Sequence, residues 1–313
     1  MAAADIRFKL NTGAEIPALG LGTWKSEPGE VTRAVSHAIK CGYRHIDTAL
    51  VYGNESEVGQ GIKEAIDSGI VKREDLFVTT KLWCSFHARV EEGLDESLKN
   101  LGLDYVDLYL MHWPVAMNPK GNHNIFPKLA DGSRDMDHNH SYIDTYKSME
   151  KLVGTGKTRA IGVSNFSVEY LEKLLPQVSI VPAVNQIENH PSLPQQEIVD
   201  FCNQKGIHIT AYSPLGSTGS PLFSAEPIVA VAQKRGVTPA TVLLSWHIAR
   251  GSSVLAKSVT PARIEANRND LIKLDAEDVA TIKKYSDDLA ARKSFTRYVF
   301  PPFGTDMGFP DKK

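Results

Sequence analysis

Residues 76–112 read Leu76-Phe-Val-Thr-Thr-Lys81-Leu82-Trp-Cys-Ser-Phe-His-Ala-Arg-Val90-Glu-Glu-Gly-Leu94-Asp-Glu-Ser-Leu98-Lys-Asn-Leu101-Gly102-Leu-Asp-Tyr-Val106-Asp-Leu-Tyr-Leu-Met-His112. The runs at each end, Leu76–Leu82 and Val106–His112, are short, apolar and rich in β-branched or aromatic residues, as strands covered on both faces are. Between them Val90, Leu94, Leu98 and Leu101 recur at i, i+4, i+8 and i+11, the stripe of a helix that buries one side. Gly102 follows where a helix end favours a left-handed residue. Strand, helix and strand within about thirty residues is one βα unit, whose crossover suits a neighbouring parallel strand.

The same alternation extends in both directions. Further strands are expected at Pro17–Thr23, His45–Ala49, Arg159–Asn165, Pro182–Glu188, His208–Pro214 and Ser253–Ser258, making eight. Val58, Ile62, Ala65 and Ile66 form another helical stripe, and Gly42, Gly69, Gly156 and Gly206 are expected to close helices as Gly102 does. A length of 313 residues leaves either one large barrel or two ordinary domains open. Eight adjacent units without a Gly- or Pro-rich linker favour one domain over residues 1–313, an α/β (β/α)8 TIM barrel. Residues 7–16 read as an N-terminal β-hairpin around Asn11–Gly13 that plugs the barrel's N-terminal end. The polar segment 114–140 and the segment 215–226 are expected at the C-terminal rim. After Leu289 the tail carries Phe295, Tyr298, Phe300, Phe303 and Phe309, too aromatic for a solvated end, and is expected to fold over that rim as a C-terminal loop.

Composition narrows the partners. Lys plus Arg is 35 against 37 Asp plus Glu, so no basic field points to nucleic acid. No run approaches about 18 apolar residues, so no membrane partner is expected. The N-terminus lacks a secretory pattern, and the three dispersed cysteines, Cys41, Cys84 and Cys202, make neither a disulfide framework nor a four-ligand zinc cluster. A reducing, cytoplasmic setting is expected.

Asp47, Lys81 and His112 end the second, third and fourth strands, 34 and 31 residues apart, so a barrel sets them side by side. Tyr52, five residues after Asp47, can lean over the same spot. A lysine held charged by the aspartate is expected to bring the tyrosine's pKa down towards a working range. The four would serve carbonyl reduction, where negative charge grows on oxygen and a proton must be delivered. Singly, each is better read as a surface pair, cap or rim residue; their coincidence at matching barrel positions favours catalysis.

A hydride needs a donor, yet Gly20-Leu-Gly22 continues Thr-Trp-Lys, without the third glycine of a Rossmann fingerprint. Instead Lys257-Ser258-Val-Thr260-Pro261-Ala-Arg263 places two cations around a helix start, an outline of a 2′-phosphate site that favours NADPH. Asp137, His138 and His140 raise a metal-hydrolase reading, but they share one polar loop with nothing to fix ligand geometry, so no metal is expected.

Gly42-Tyr-Arg-His-Ile-Asp47-Thr-Ala-Leu-Val-Tyr52-Gly-Asn-Glu, Lys81-Leu-Trp, Leu110-Met-His112-Trp-Pro and Ile161-Gly-Val-Ser164-Asn165-Phe together resemble the aldo-keto reductases, of the aldose or aldehyde reductase type. The resemblance implies an NADPH/NADP+-dependent, usually monomeric, metal-free oxidoreductase acting on aldehydes and ketones. It makes Asp47, Tyr52, Lys81 and His112 the catalytic tetrad. It assigns Ser164, Asn165 and Gln186 to the nicotinamide carboxamide and Tyr212 to the ring. Ser213, Leu215 and Ser217 would line the pyrophosphate, with Thr23 and Trp24 near the ribose, and Lys257, Ser258, Thr260, Arg263 and Asn267 at the adenosine end. Trp24, Trp83, His112, Trp113 and Phe126 would line the substrate pocket. Ala266 departs from the pattern, because many members carry there a glutamate that can accept from adenine. The Phe-Lys-Leu-Asn-Thr-Gly opening and central sequence are similar to fungal NADP-dependent glycerol dehydrogenases and glyceraldehyde reductases, implying small hydroxyaldehydes and polyols such as glycerol. A competing reading is an NADP(H)-binding regulatory subunit on the same barrel with little turnover.

Overall fold

The computed structural model describes residues 3–27, 29–217 and 219–312. A hairpin, β1 (Arg7–Lys9) and β2 (Glu15–Pro17), precedes the repeat. Then come β3 (Leu19–Gly22), α1 (Glu30–Lys40), β4 (His45–Asp47), α2 (Glu55–Asp67), β5 (Phe77–Leu82), α3 (Val90–Leu101), β6 (Leu108–Met111), α4 (Tyr142–Glu150), β7 (Ile161–Ser164), α5 (Val168–Leu174) and β8 (Val184–Glu188). The order continues α6 (Gln196–Gln204), β9 (His208–Tyr212), α7 (Glu226–Arg235), α8 (Pro239–Ala249), β10 (Ser253–Lys257), α9 (Pro261–Asn269) and α10 (Ala276–Ala291). Strands β3 to β10 pair in parallel and close into a barrel through β10 and β3. Each lies within the run read from the sequence.

Side chains on the strands are buried on both faces. The outward residues Ile46, Val78, Tyr109 and Met111 join the large core beneath the helices, while the inward ones fill the barrel. At the N-terminal end the hairpin's Leu10 and Ile16 pack with Phe77, Leu108, Leu110 and Val184, so it plugs the barrel as expected. The interior then turns polar. His45 Nε2 lies 3.2 Å from Thr79 Oγ1, and burial pushes the imidazole down to about 3, so it is neutral. Gly20 permits this, since a Cβ there would stand 2.8 Å from the His45 ring.

One sequence expectation changes, and one connection is more elaborate than a bare βα repeat. Gly42, Gly69, Gly102 and Gly206 do take positive φ at helix ends, but Gly156, also at positive φ, lies in the turns beyond α4 and closes no helix. The β9–β10 connection carries two helices, and α7 packs with α8 and α10 in a second core of Leu222, Ile228, Val231, Leu243, Trp246 and Ile282. Past α10 the tail crosses the rim, burying Phe303, Met307 and Phe309.

Candidate active site

Strand register places the tetrad. Asp47 pairs with Thr79 and Lys81 with Leu110, so Lys81 and then His112 each stand one inward position further along. Strand tilt brings such staggered positions to one height at the rim. Lys81 Nζ lies 2.6 Å from Asp47 Oδ1, and donates to the Thr48 carbonyl at 2.9 Å and to the Tyr52 hydroxyl at 3.4 Å. Asp47 Oδ2 accepts from Gln186 Nε2 at 2.8 Å, and the aspartate's own carbonyl accepts from Thr23 Oγ1 at 3.0 Å. Tyr52 closes a short 3₁₀ turn, Leu50–Tyr52, which Gly53 ends at φ 68°. The ring meets His112 edge-on at 5.7 Å and Trp24 at 6.4 Å.

Burial governs the electrostatics. It pushes Asp47 up and Lys81 down from their ordinary values, each opposed by attraction to the other. Burial, then Asp47, then Tyr212 hold the Tyr52 hydroxyl well above its ordinary value. This corrects the expectation that Lys81 lowers it: the lysine's charge is matched by Asp47 0.8 Å closer, and little field remains for the phenol. Tyr52 is therefore a protonated acid at neutral pH. His112 is held well below its ordinary value by burial and by Lys81, hence neutral. Its Nδ1 is buried without a partner among the described residues. An orphaned donor is the rarer state, so the ring proton belongs on Nε2.

Above the tetrad opens a cavity of about 700 Å³. Its lining includes Thr23, Trp24, Asp47, Tyr52, Trp83, His112, Trp113, Phe126, Ser164, Asn165, Gln186, Tyr212, Ser213, Leu215, Ser217 and Lys257. Lys81 sits beneath it. Ser258, Thr260, Arg263 and Asn267 lie beyond its wall, on β10–α9. Tyr212 donates to Asn165 Oδ1 at 2.7 Å, Asn165 Nδ2 to the His112 carbonyl at 2.9 Å, and Ser164 Oγ to the Gln186 carbonyl at 2.8 Å, so the residues assigned to a nicotinamide brace one another and the tetrad. Asn165 (φ 61°) and Ser213 (φ 49°) take the left-handed conformation, strain of the kind that gathers at functional sites.

The residues fit an extended dinucleotide. The side chains of Lys257 and Arg263 make no ion pair or hydrogen bond among the described residues, and Thr260 stands at the N-cap of α9 with its side chain uncommitted to a helix amide. Two free cations at a helix start suit a phosphate. Glu265 does not replace the glutamate missing at Ala266, because its carboxylate meets His37 Nε2 at 2.9 Å.

Several lining residues escaped the sequence reading. The expected Trp83 donates its Nε1–H to the Ile125 carbonyl at 2.7 Å and so fastens the 114–140 loop, which adds Arg134 to the wall beside the expected Phe126. Val299, Pro301 and Phe303 come from the tail, Phe303 resting on Trp113 at 5.6 Å and on Trp83 at 6.4 Å. Glu188, buried at the end of β8, accepts the backbone N–H groups of Tyr298 at 2.7 Å and Val299 at 2.8 Å and faces His190 Nε2 at 3.0 Å. The tail's aromatic content was the signal; Glu188 gave none. In the 114–140 loop, Asp137 Oδ1 accepts from the Asn139 amide and His140 meets Thr145, and among the described residues Asp137, His138 and His140 do not converge as ligands.

The sequence profile described as "Aldo/keto reductase family" matches residues 18–287. A relative named D-galacturonate reductase, from Hypocrea jecorina, is 63% identical over 97% of this chain and 98% of its own. One named glycerol 2-dehydrogenase (NADP(+)), from Saccharomyces cerevisiae, is 51% identical over 91% and 92%. The solved structure of an aldose reductase from Schistosoma japonicum superposes with a TM-score of 0.85 at 39% identity, covering 94% of each chain.

Proposed function

The chain belongs to the aldo/keto reductase family, whose members reduce carbonyl compounds with a nicotinamide cofactor, and on that premise we propose that it is an NADPH-dependent reductase of open-chain hydroxyaldehydes and sugar aldehydes, acting in reverse on polyols with NADP+. The observation that carries this reading is the buried Asp47–Lys81–Tyr52 chain opening beside His112 into the cavity.

Bound nicotinamide supplies the hydride; the chain's own residues manage the carbonyl oxygen. Tyr52, protonated at neutral pH, gives its proton to that oxygen, and Lys81 Nζ keeps its hydrogen bond to the phenol oxygen that has lost it. Asp47 keeps the lysine charged and in place. His112 orients the oxygen with its Nε2 proton. Trp24, Trp83, Trp113, Phe126 and Phe303 wall the reaction from water, which strengthens each of these interactions.

The preference for the phosphorylated cofactor rests on Lys257 and Arg263, supported by the NADP(+) in the yeast relative's name. That relative's name points to a three-carbon polyol and the Hypocrea relative's to a six-carbon sugar acid, a size range that a roomy, aromatic-walled cavity suits. We read the 313 residues as a single barrel domain, working as a cytoplasmic monomer without nucleic-acid partners. A net charge of -2 and dispersed thiols support this, and among the described residues no helix is long and apolar enough to cross a membrane.

A panel of aldehydes and polyols with NADPH, NADH, NADP+ and NAD+, run in both directions, tests the proposal. NADPH consumption with DL-glyceraldehyde and larger aldoses is expected. Tight NADPH binding without turnover anywhere in the panel would favour the regulatory reading instead.

A further inference from the structure

Charge is unbalanced along the cavity wall. Among the described lining residues Asp47 is the only carboxylate, and Lys81 already satisfies it, whereas Lys25, Arg134 and Lys257 are all cationic. Lys257 belongs to the cofactor end, and Lys25 is exposed and lies over the Trp24 ring at 4.5 Å. Arg134 stands elsewhere. Its guanidinium lies over Phe126 at 4.5 Å; Phe126 meets Trp83 at 5.6 Å, and Trp83 meets His112 at 5.4 Å. The charge is therefore on the substrate wall, two aromatic rings away from the residue that orients the carbonyl.

Arg134 makes no hydrogen bond or ion pair with any described residue, although it is half-buried. The nearby acids are occupied: Asp135 Oδ2 accepts from Asn118 Nδ2 at 2.9 Å, and Asp131 Oδ1 accepts from Ser133 at 2.6 Å. Its backbone is not loose. Lys128 and Arg134 pair across a small hairpin that turns at Gly132 (φ 85°), and the Asp135 amide donates to the Pro127 carbonyl at 3.0 Å. An unpaired guanidinium on a positioned backbone, set against an aromatic wall, is suited to a planar anion that accepts two parallel hydrogen bonds.

We propose that Arg134 determines substrate specificity by binding a carboxylate at the far end of an open-chain polyhydroxy aldehyde, so that the preferred substrates are uronates, whose aldehyde is reduced while the carboxylate stays unchanged. The inference rests on the carbonyl-reduction reading and adds the anionic end. A three-carbon aldehyde such as glyceraldehyde carries no carboxylate and gains nothing from the charge.

D-galacturonate and D-galactose test it, because they differ only in a terminal carboxylate against a hydroxymethyl group. With NADPH, the intact enzyme is expected to show kcat/KM at least about tenfold higher for the uronate. Arg134→Met should erase that ratio mainly through KM, lowering kcat/KM for the uronate at least about tenfold more than kcat/KM for DL-glyceraldehyde, and Arg134→Lys should restore part of it. Rising salt should shrink the wild-type ratio. A uronate-to-galactose ratio that survives Arg134→Met would overturn the inference, as would the absence of any wild-type preference in an enzyme that reduces glyceraldehyde. A stronger preference for galactose 6-phosphate than for galacturonate would likewise overturn the carboxylate assignment. Failure of the wild type to reduce even glyceraldehyde would instead overturn the carbonyl-reduction reading on which the inference stands.

Discussion

The carboxylate of Glu188 accepts the backbone N–H of Tyr298 at 2.7 Å, across 110 positions of sequence. A barrel strand thereby grips the tail that supplies Val299, Pro301 and Phe303 to the cavity, and Arg297 adds a second tie, donating to Asp311 at 2.7 Å and to Gln195 Oε1 at 2.8 Å. Glu188→Gln replaces one charge-assisted acceptor with a neutral amide, at a cost of about 1–3 kcal/mol in tail docking. Faster proteolysis of the tail and a raised KM for aldehydes are expected, with the barrel's melting temperature changing less. An unaltered cleavage rate and KM would show that the tail is held by its aromatic contacts alone.

Lys81 and Asp47 depend on one another. Lys81→Met leaves a buried carboxylate without its counter-charge, which typically costs about 3–5 kcal/mol, whereas Lys81→Met with Asp47→Asn removes both charges. Thermal melts should show the double variant recovering much of the stability that the single variant loses, while neither reduces glyceraldehyde at a measurable rate. Equal destabilisation in the two variants would mean that the pair is not coupled.

Acid should destabilise the fold through histidines. Burial holds His45 and His87 at about 3 and His208 at about 4, against 6.5 for an unperturbed ring. Between these values the unfolded chain binds protons that the native chain refuses, so stability rises with pH and is lost as pH falls below 6.5. Each such group contributes up to about 1.4 kcal/mol per pH unit in that window. The melting temperature should drop from pH 7 to pH 5, and His45→Gln should flatten the slope. A flat wild-type curve would contradict the buried neutral histidines.

Catalysis has a different pH signature. With Tyr52 held above its ordinary value and His112 neutral, kcat for aldehyde reduction should change little between about pH 6 and 9, because the acid is fully protonated throughout. Alcohol oxidation needs the phenolate and should speed up as pH rises. A reduction rate that falls with a midpoint near 7 would mean that the tyrosine's pKa is lowered after all.

Much of this was legible in the sequence for physical reasons. Parallel strands buried on both faces leave apolar runs, and βα spacing is regular, so the barrel and the inward placement of Asp47, Lys81 and His112 could be read from residues 45–112. The direction of Tyr52's pKa could not, because it turns on the difference between 2.6 and 3.4 Å at one lysine. Glu188 was hidden within a strand, its partners lying far along the chain. Arg134 was hidden because residues 114–140 have no period to reveal which side chains face the cavity.

The proton donor is the central assignment, and Tyr52→Phe tests it most directly, since it removes one hydroxyl and keeps the ring that meets His112 and Trp24. With NADPH and DL-glyceraldehyde, kcat should fall by at least about two orders of magnitude while NADPH affinity, followed by fluorescence, stays near wild type. A Tyr52→Phe enzyme that reduces glyceraldehyde at wild-type rates would contradict the assignment.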